Sequence, residues 1–455
     1  MNPLFEKSVY QNRREKLTQS VQHGIAVFLG NHEAPMNYPD NTYNFRQDSD
    51  FLYFFGLSIA DIAIIFGNDF TIDDIIWMGD QPTIASLAEK VGVTDTMPLA
   101  KLAEYIQKAQ QDGRKVHFTP MYRGDNQIWL SNLTGINVNN IREAASLELI
   151  KGIVALRSAK EQCEIDEMDK ACEIGVKMHT AVMRRCVAGE SERELAGLAE
   201  GIALSYGNGI SFPVILSQHG ETLHNHLHNG ILQEGNMLLM DAGAEGLMNY
   251  CSDYTRTLPV GGKFTQKQQE IYEIVLKANL DAIDAAHPGM YNKELHRLSC
   301  EVIAQGLKDL GLMKGDVKEA VELGAHALFM VHGLGHQIGL DVHDMEGLGQ
   351  IHVGYDDTVR PSNIFGWASL RMARELKPGF VVSIEPGIYF IPHLIDIWKK
   401  ENKFADFINY DVVEKYRDFG GIRIEDDLLI TETGHRVLGP HLPKGVDELA
   451  EIIGR

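Results

Sequence analysis

The sequence predicts an α+β protein with two domains. Its 455 residues exceed the usual size of one domain and leave room for two full cores. The first part of the chain contains short apolar runs separated by turn-like clusters, which is typical of a mixed sheet with intervening helices. The remainder alternates strand hairpins with long helical segments, and this alternation predicts the α+β class.

The predicted elements of the first part follow from its apolar runs. The predicted strands are IAVFLG (25–30), DFLYFFG (50–56), DIAIIFG (61–67) and DIIWMG (74–79). Helices are predicted at LTQSVQ (17–22) and LAKLAEYIQKAQ (99–110). We place the domain boundary near residues 150–158, which gives domains of residues 1–155 and 156–455.

Two long helices are predicted after this boundary. The first has helically spaced apolar residues at Ile165, Met168, Cys172, Val176 and Met183. The second begins at the T-x-x-Q capping pattern of residues 265–268 and ends at the HPG of residues 287–289, because proline and glycine stop helices.

Composition excludes several classes of function. A net charge of -21 argues against nucleic acid and anionic membranes as partners, because both need basic surface. No apolar stretch approaches the roughly 18 residues of a membrane span. The opening MNPLFEKSVYQNRREKL lacks the hydrophobic segment of a signal peptide, so a cytoplasmic protein is predicted. The five cysteines show no CxxC spacing and are predicted to be free thiols.

Acidic residues stand at the ends of several apolar strands. Asp241 closes MLLMD, and Asp253 follows twelve residues later, so a short hairpin would bring both to one edge. Glu385 ends FVVSIE, and the alternation of GIRIEDD places Arg423 and Glu425 on one face. Acids at such positions are costly unless they are paired or bind cations. The set therefore predicts an oxygen-rich site for two divalent ions.

The segment HGLGHQIGLDVHD is the main histidine cluster of the chain. It carries His332, His336 and His343, with glycines at positions 333, 335 and 339. These glycines would weaken the helix of a zinc-binding HExxH motif. We therefore predict a turn that delivers one metal ligand and places catalytic imidazoles beside it.

The motifs together resemble a known family. The segments LHNHLHN, DAGAEGLMNYCSDYTRT, HGLGHQIGLDVHD, SIEPGIYF and GIRIEDD resemble the pita-bread dinuclear metallopeptidases, in the branch of Xaa-Pro aminopeptidases (aminopeptidase P) and prolidases. The segment NYPDNTYNFRQDSDFLYFFG is similar to the N-terminal domain of aminopeptidases P. The resemblance implies a pita-bread (creatinase/aminopeptidase-like) catalytic domain preceded by a mixed α/β creatinase-type domain. It also implies a homodimer or homotetramer.

The resemblance implies a role for each motif residue. By motif position the metal ligands are Asp241, Asp253, His336, Glu385 and Glu425, and the second Asp and last Glu bridge two ions. Manganese is favoured by the oxygen-rich set, and cobalt, iron and zinc remain alternatives. The implied catalytic residues are His224, His343, Glu385 and Arg423, and the implied substrate-binding residues are His224, His332, His343 and Arg371.

The length of the peptide substrate stays open. Residues 217–343 resemble bacterial aminopeptidase P, whereas the stretch after Asp344 resembles prolidases. Arg371 falls where prolidases place the arginine that binds the free carboxylate of a dipeptide. Hydrolysis of the N-terminal Xaa-Pro bond by an aminopeptidase P is favoured, and an Xaa-Pro dipeptidase (prolidase) is the alternative. A catalytically inactive peptide-binding scaffold is the remote alternative.

Overall fold

The computed structural model describes residues 3–21, 23–60 and 83–455. The chain packs into two compact units. One unit comprises Met1–Arg157 and Met345–His352, and the other comprises Ser158–Asp344 and Val353–Arg455. In the described ranges, no helix is both long and apolar enough to cross a membrane.

The described residues of the first unit combine short helices with a two-stranded parallel sheet. Strand β1 (Gly24–Ala26) pairs with strand β2 (Lys115–His117). Buried side chains beside this sheet include Val27 and Leu29 from the predicted run IAVFLG, and Ile106 from the predicted helix at LAKLAEYIQKAQ. The α-helices among the described residues of this unit are Lys7–Ser20, Ser49–Phe55, Ile84–Lys90, Leu102–Gln111, Gly124–Thr134 and Leu147–Ser158, and 3₁₀ turns span Leu99–Lys101 and Val138–Asn140.

One predicted strand of this unit is a helix. The run DFLYFFG lies in the helix Ser49–Phe55, so its prediction as a strand is wrong. The Asp48 carboxylate caps this helix by accepting a 3.0 Å hydrogen bond from the Phe51 N–H, and Gly56 ends it at a φ of 65°. Every residue of the helix is buried. A short apolar run does not distinguish a strand from a helix buried on all sides. The predicted strands DIAIIFG and DIIWMG lie outside the described residues.

The long helices of the second unit follow their predicted patterns. The first spans Gln162–Arg184 and buries Ile165 and Met168. The predicted capping box is present, because Thr265 and Gln268 exchange hydrogen bonds of 2.8 and 3.3 Å ahead of the helix Gln266–Ala285. The other α-helices of this unit are Glu192–Tyr206, Asn292–Asp309, Val317–Leu323, Pro392–Lys400, Tyr410–Val413 and Val446–Ile452, and its 3₁₀ turns are Ala325–Leu328, Trp367–Ser369 and Glu414–Tyr416. The 3₁₀ turn Glu346–Leu348 belongs to the first unit, and the short helix Gln350–Val353 begins in the first unit and ends in the second.

Antiparallel strands of the second unit form small sheets. The strands are β3 (Gly209–Ile210), β4 (Ile215–Ser217), β5 (Met237–Asp241), β6 (Ala244–Glu245), β7 (Thr255–Pro259), β8 (Val381–Ile384), β9 (Gly387–Tyr389), β10 (Gly421–Arg423), β11 (Asp426–Ile430) and β12 (His435–Val437). Two sheets have three strands, in the orders β4–β5–β7 and β12–β11–β8. The other pairs are β3 with β6 and β9 with β10.

The strand registers gather the acidic residues. The predicted hairpin is present, because β5 and β7 are antiparallel neighbours with Asp241 opposite Thr255. A β-bridge then joins Thr255 to Glu425. Strand β11 pairs with β8 so that Asp426 faces Ile384, and the residues just outside this pair, Glu425 and Glu385, lie at the same end. Three acidic positions that are distant in sequence, Asp241, Glu385 and Glu425, thus meet at the ends of neighbouring strands.

Candidate active site

A cavity of about 610 Å³ opens within the second unit. This volume is within the usual range of small-molecule sites. Apolar side chains on one wall include Phe212, Ile215 and Leu223. Every metal-binding, catalytic and substrate-binding residue predicted from the sequence lines the cavity, namely His224, Asp241, Asp253, His332, His336, His343, Arg371, Glu385, Arg423 and Glu425.

Backbone pairing along β8 places His336 beside Glu385. The Glu385 N–H donates to the Leu334 carbonyl at 2.8 Å, and the Ser383 N–H donates to the His336 carbonyl at 2.9 Å. A Cβ on Gly335 would lie 1.9 Å from the Ser383 carbonyl oxygen, so only glycine allows this approach. Residues 332–344 contain no helix, as predicted for this segment.

The site combines one imidazole with several carboxylates. The His336 Nε2 lies 3.4 Å from an oxygen of Asp253 and 3.7 Å from an oxygen of Glu385. Ligand atoms of Asp253, His336 and Glu425 all lie within 4.8 Å of one another. The His336 Nδ1 faces the Gln337 carbonyl at 3.1 Å, which leaves Nε2 directed at the carboxylates.

Burial makes this group of carboxylates electrostatically unfavourable without a cation. Asp253 and Glu425 are 4% and 2% exposed, and burial raises the pKa of each far above its ordinary value. Burial also raises the pKa of Glu385. Among the described residues, one buried oxygen of Asp241 and one of Asp253 have no hydrogen-bond partner. Converging, partly unsatisfied carboxylate oxygens beside a single imidazole are a donor set that fits divalent cations.

Arg423 connects one side of the carboxylate cluster to a hydrogen-bonded network. Its guanidinium pairs with Asp241 and donates to the Tyr389 hydroxyl at 2.9 Å. The Tyr389 hydroxyl also lies 2.8 Å from His332 Nε2. Burial lowers the pKa of His332 to about 4, so this imidazole is neutral near pH 7. The Thr255 hydroxyl contacts both Arg423 and Glu425, at 3.1 and 2.7 Å. Arg423 therefore orients two of the predicted ligand carboxylates.

The other predicted residues, His343, His224 and Arg371, differ in their exposure and contacts. The rings of His343 and His336 are 4.1 Å apart between centroids, so His343 lies directly against the ring of the predicted metal ligand His336. His224 is exposed, and burial of part of its ring lowers its pKa. Arg371 is half-buried. The lining of the cavity therefore includes further imidazoles and a guanidinium in addition to His336 and the carboxylates.

Sequence reasoning missed two residues of this network, Tyr389 and Thr255. A usable signal existed for Tyr389, which is four residues after Glu385 in the extended segment SIEPGIY. Period-two alternation places both side chains on one face. Thr255 also follows Asp253 by two residues, but its contact with Glu425 depends on long-range strand pairing.

Comparisons with known proteins agree with this geometry. The pattern of "Metallopeptidase family M24" matches residues 166–432, and that of "Aminopeptidase P, N-terminal domain" matches residues 10–117. Xaa-Pro dipeptidase from Homo sapiens is 31% identical over 96% of this chain and 90% of that protein. A probable Xaa-Pro aminopeptidase from Sordaria macrospora is 32% identical over 94% of this chain and 91% of that protein.

Solved structures show the same fold. Pseudomonas aeruginosa aminopeptidase PepP has a TM-score of 0.79 and 27% identity, covering 100% of this chain and 99% of that one. Zinc-substituted E. coli aminopeptidase P in complex with product has the same score and identity, with 99% of each chain covered. The predicted α+β fold, with an aminopeptidase P-type N-terminal domain before the peptidase domain, is confirmed. The chain belongs to metallopeptidase family M24.

Proposed function

We propose that this metallo-exopeptidase hydrolyses the bond between an N-terminal residue and a following proline, and that it acts as an aminopeptidase P on peptides longer than two residues. The main support is the convergence of Asp241, Asp253, His336, Glu385 and Glu425 in one cavity. Relatives named Xaa-Pro aminopeptidases and Xaa-Pro dipeptidases, each matching nearly the whole chain, support the proline specificity.

The proposed metal ligands divide into shared and terminal ones. Asp253 and Glu425, the most buried carboxylates of the set, would each share their oxygens between two ions. Asp241 would complete one ion's ligands, and His336 with Glu385 would complete the other's. When bound, the two ions supply an activated water and polarise the scissile carbonyl.

The protein side chains would carry the proton and position the substrate. Glu385 is 19% exposed and lines the cavity, so its carboxylate is placed to take up a proton from a water molecule there. It would then transfer this proton to the leaving proline nitrogen. His343 and His224 would hydrogen-bond the substrate carbonyl and stabilise the negative charge that develops on its oxygen. His332 would shape the cleft and hold Tyr389 in place.

Chelation tests the dinuclear site and the metal preference together. EDTA treatment should lower hydrolysis of Gly-Pro-Ala by at least about 10³-fold, because nucleophile activation is lost with the ions. Manganese should restore the rate best, since the predicted ligands are mostly carboxylate oxygens. Metal content and initial rates are measured on the same samples, with mock-treated protein as the control. Equal or better recovery with zinc contradicts the manganese preference, and an absence of bound divalent ions supports the scaffold alternative.

Arg371 tests the length of the substrate. If the enzyme is a dipeptidase, Arg371→Ala should lower kcat/KM for Gly-Pro by about 10- to 100-fold, because a charge-assisted pair with the free carboxylate is lost. Under the favoured aminopeptidase P function, the wild type hydrolyses Gly-Pro-Ala well and the substitution leaves that rate nearly unchanged. Arg371→Lys is the matched control, since it keeps the charge and loses the planar two-point contact.

The same assay tests the proposed function itself. Gly-Pro-Ala and Gly-Ala-Ala should be compared, with only the first hydrolysed at a substantial rate. Wild-type activity confined to Gly-Pro would replace the aminopeptidase P assignment with the prolidase alternative. A metal-loaded protein that cleaves none of the proline peptides would overturn the proline specificity.

A further inference from the structure

A second cluster of metal-binding side chains lies buried outside the cavity. It consists of His296, Cys300 and His326, which are each 0% exposed. One ligand atom from each residue lies within 4.8 Å of the others. None of the three lines the cavity of the proposed peptidase site. The cluster therefore needs an explanation of its own.

Two structural elements bring these residues together. His296 and Cys300 are four residues apart in the helix Asn292–Asp309, so they share one face. His326 comes from the 3₁₀ turn Ala325–Leu328. The Cys300 Sγ is 3.7 Å from His296 Nε2. Sulfur and nitrogen atoms on one tetrahedral zinc ion are about 3.5 Å apart, given bonds of about 2.3 and 2.0 Å. The observed spacing is therefore close to that of ligands on one ion.

His326 lacks the hydrogen bonds that a buried imidazole normally makes. Neither ring nitrogen of His326 has a partner among the described residues. The Trp367 indole packs edge-on against the rings of both histidines but donates its own N–H to the Val321 carbonyl at 3.0 Å. Buried polar groups are nearly always paired, and a site for a bound ion is a recognised reason for an exception. A cation bound by His326 would satisfy one nitrogen.

We propose that His296, Cys300 and His326 bind one thiophilic metal ion, either Zn²⁺ or Cu⁺. A thiolate with two imidazoles suits these ions, whereas the carboxylate-rich peptidase site suits harder cations. Among the residues that the structure describes, no carboxylate belongs to this cluster. Burial raises the pKa of the Cys300 thiol, so binding would release the thiol proton and strengthen as the pH rises.

The position of the cluster indicates a structural role. It connects the helix Asn292–Asp309 to the turn Ala325–Leu328, six residues before His332. Trp367, which packs on both histidines, is four residues before Arg371. An ion there would fix the turn that precedes His332 against the helix Asn292–Asp309. Its loss should therefore lower thermal stability more than it lowers the catalytic rate.

Cobalt titration of the metal-free protein tests the proposal. We expect a third equivalent of Co²⁺ beyond the two of the peptidase site, accompanied by a near-ultraviolet thiolate-to-cobalt charge-transfer band. Cys300→Ser should remove the band and the third equivalent. Cys186→Ser is the matched control, because Cys186 is also a fully buried thiol and belongs to no such cluster in the described part of the chain. Zn²⁺ and Cu⁺, the latter under anaerobic reducing conditions, are then titrated separately to identify the preferred ion.

A second measurement keeps the proposal testable if Cys300→Ser fails to fold. X-ray absorption of wild-type protein loaded with three equivalents of Zn²⁺ should show one sulfur ligand per three zinc ions. The proposal is overturned if titration with Co²⁺, Zn²⁺ or Cu⁺ never adds a thiolate-bound equivalent. It is also overturned if the charge-transfer band persists in Cys300→Ser. A protein with this third ion but no peptidase activity would contradict only the proposed function.

Discussion

Replacing Asp253 by asparagine is expected to lower hydrolysis of Xaa-Pro peptides by at least about 10³-fold, equivalent to about 4 kcal/mol of transition-state stabilisation. Asp253 lies 3.4 Å from His336 Nε2 and shares the 4.8 Å cluster with Glu425, so its oxygens are central to the proposed ligand set. An amide offers one neutral oxygen where the carboxylate offers two charged ones. Bound metal per chain and kcat on Gly-Pro-Ala are the measurements.

Stability distinguishes loss of metal binding from loss of the fold. Burial raises the pKa of Asp253 in the folded, metal-free protein. The protonated Asp253 side chain therefore contributes its full stabilisation below the ordinary carboxyl pKa. This stabilisation is lost as the pH rises through the raised pKa. At pH 7 the substitution should therefore increase the free energy of unfolding of the metal-free protein. Asp169→Asn, which breaks a surface pair with Arg436, is the matched acid-to-amide control and should leave activity intact. Full metal content and activity in Asp253→Asn would contradict the proposed ligand role.

Local patterns predicted the two long helices of the second unit and the side-chain alternation of one strand. The capping box at Thr265 and the periodicity of Gln162–Arg184 both depend on residues within a few positions of one another. The alternation around Ile424 predicted that Arg423 and Glu425 share one face, and both line the cavity while Ile424 is fully buried. Such features are fixed by backbone geometry that repeats every two or 3.6 residues.

The convergence of the site depended on contacts that no local pattern contains. Thr255 meets Glu425 across 170 residues of sequence, and this pairing joins the β5–β7 hairpin to the segment before β11. From the residues alone, Asp241 and Asp253 could be placed together by a hairpin, but their meeting with Glu425 came from the family resemblance. The prediction of a strand at DFLYFFG is wrong for a different reason. Its short apolar pattern fits a strand or a fully buried helix equally well, and in the structure the segment is a fully buried helix.

Arg423→Met should lower metal affinity or catalytic rate by about 10- to 100-fold, although the variant keeps all of the proposed metal ligands. The guanidinium pairs with Asp241 and contacts Thr255, so its removal frees the orientation of one ligand carboxylate and weakens the support of Glu425. Removing one partner of a buried ion pair also costs about 3–5 kcal/mol of stability, because the charge of the other partner stays buried and unpaired. Metal dissociation constants, kcat and chemical unfolding are measured together.

Comparison variants separate the positioning role of Arg423 from its effect on folding. Arg157→Met breaks another buried pair, the 2.6 Å contact with Asp50 in the first unit, and should reduce stability without changing metal affinity. Tyr389→Phe removes the hydroxyl between Arg423 and His332 but keeps the Asp241 pair, so its effect on metal binding should be smaller. Arg423→Lys should recover part of the metal affinity, because it restores the charge without the multiple donors of the guanidinium. If Arg423→Met binds metal and turns over as the wild type does while losing stability, the arginine only supports the fold, and Asp241 is held in position by its strand.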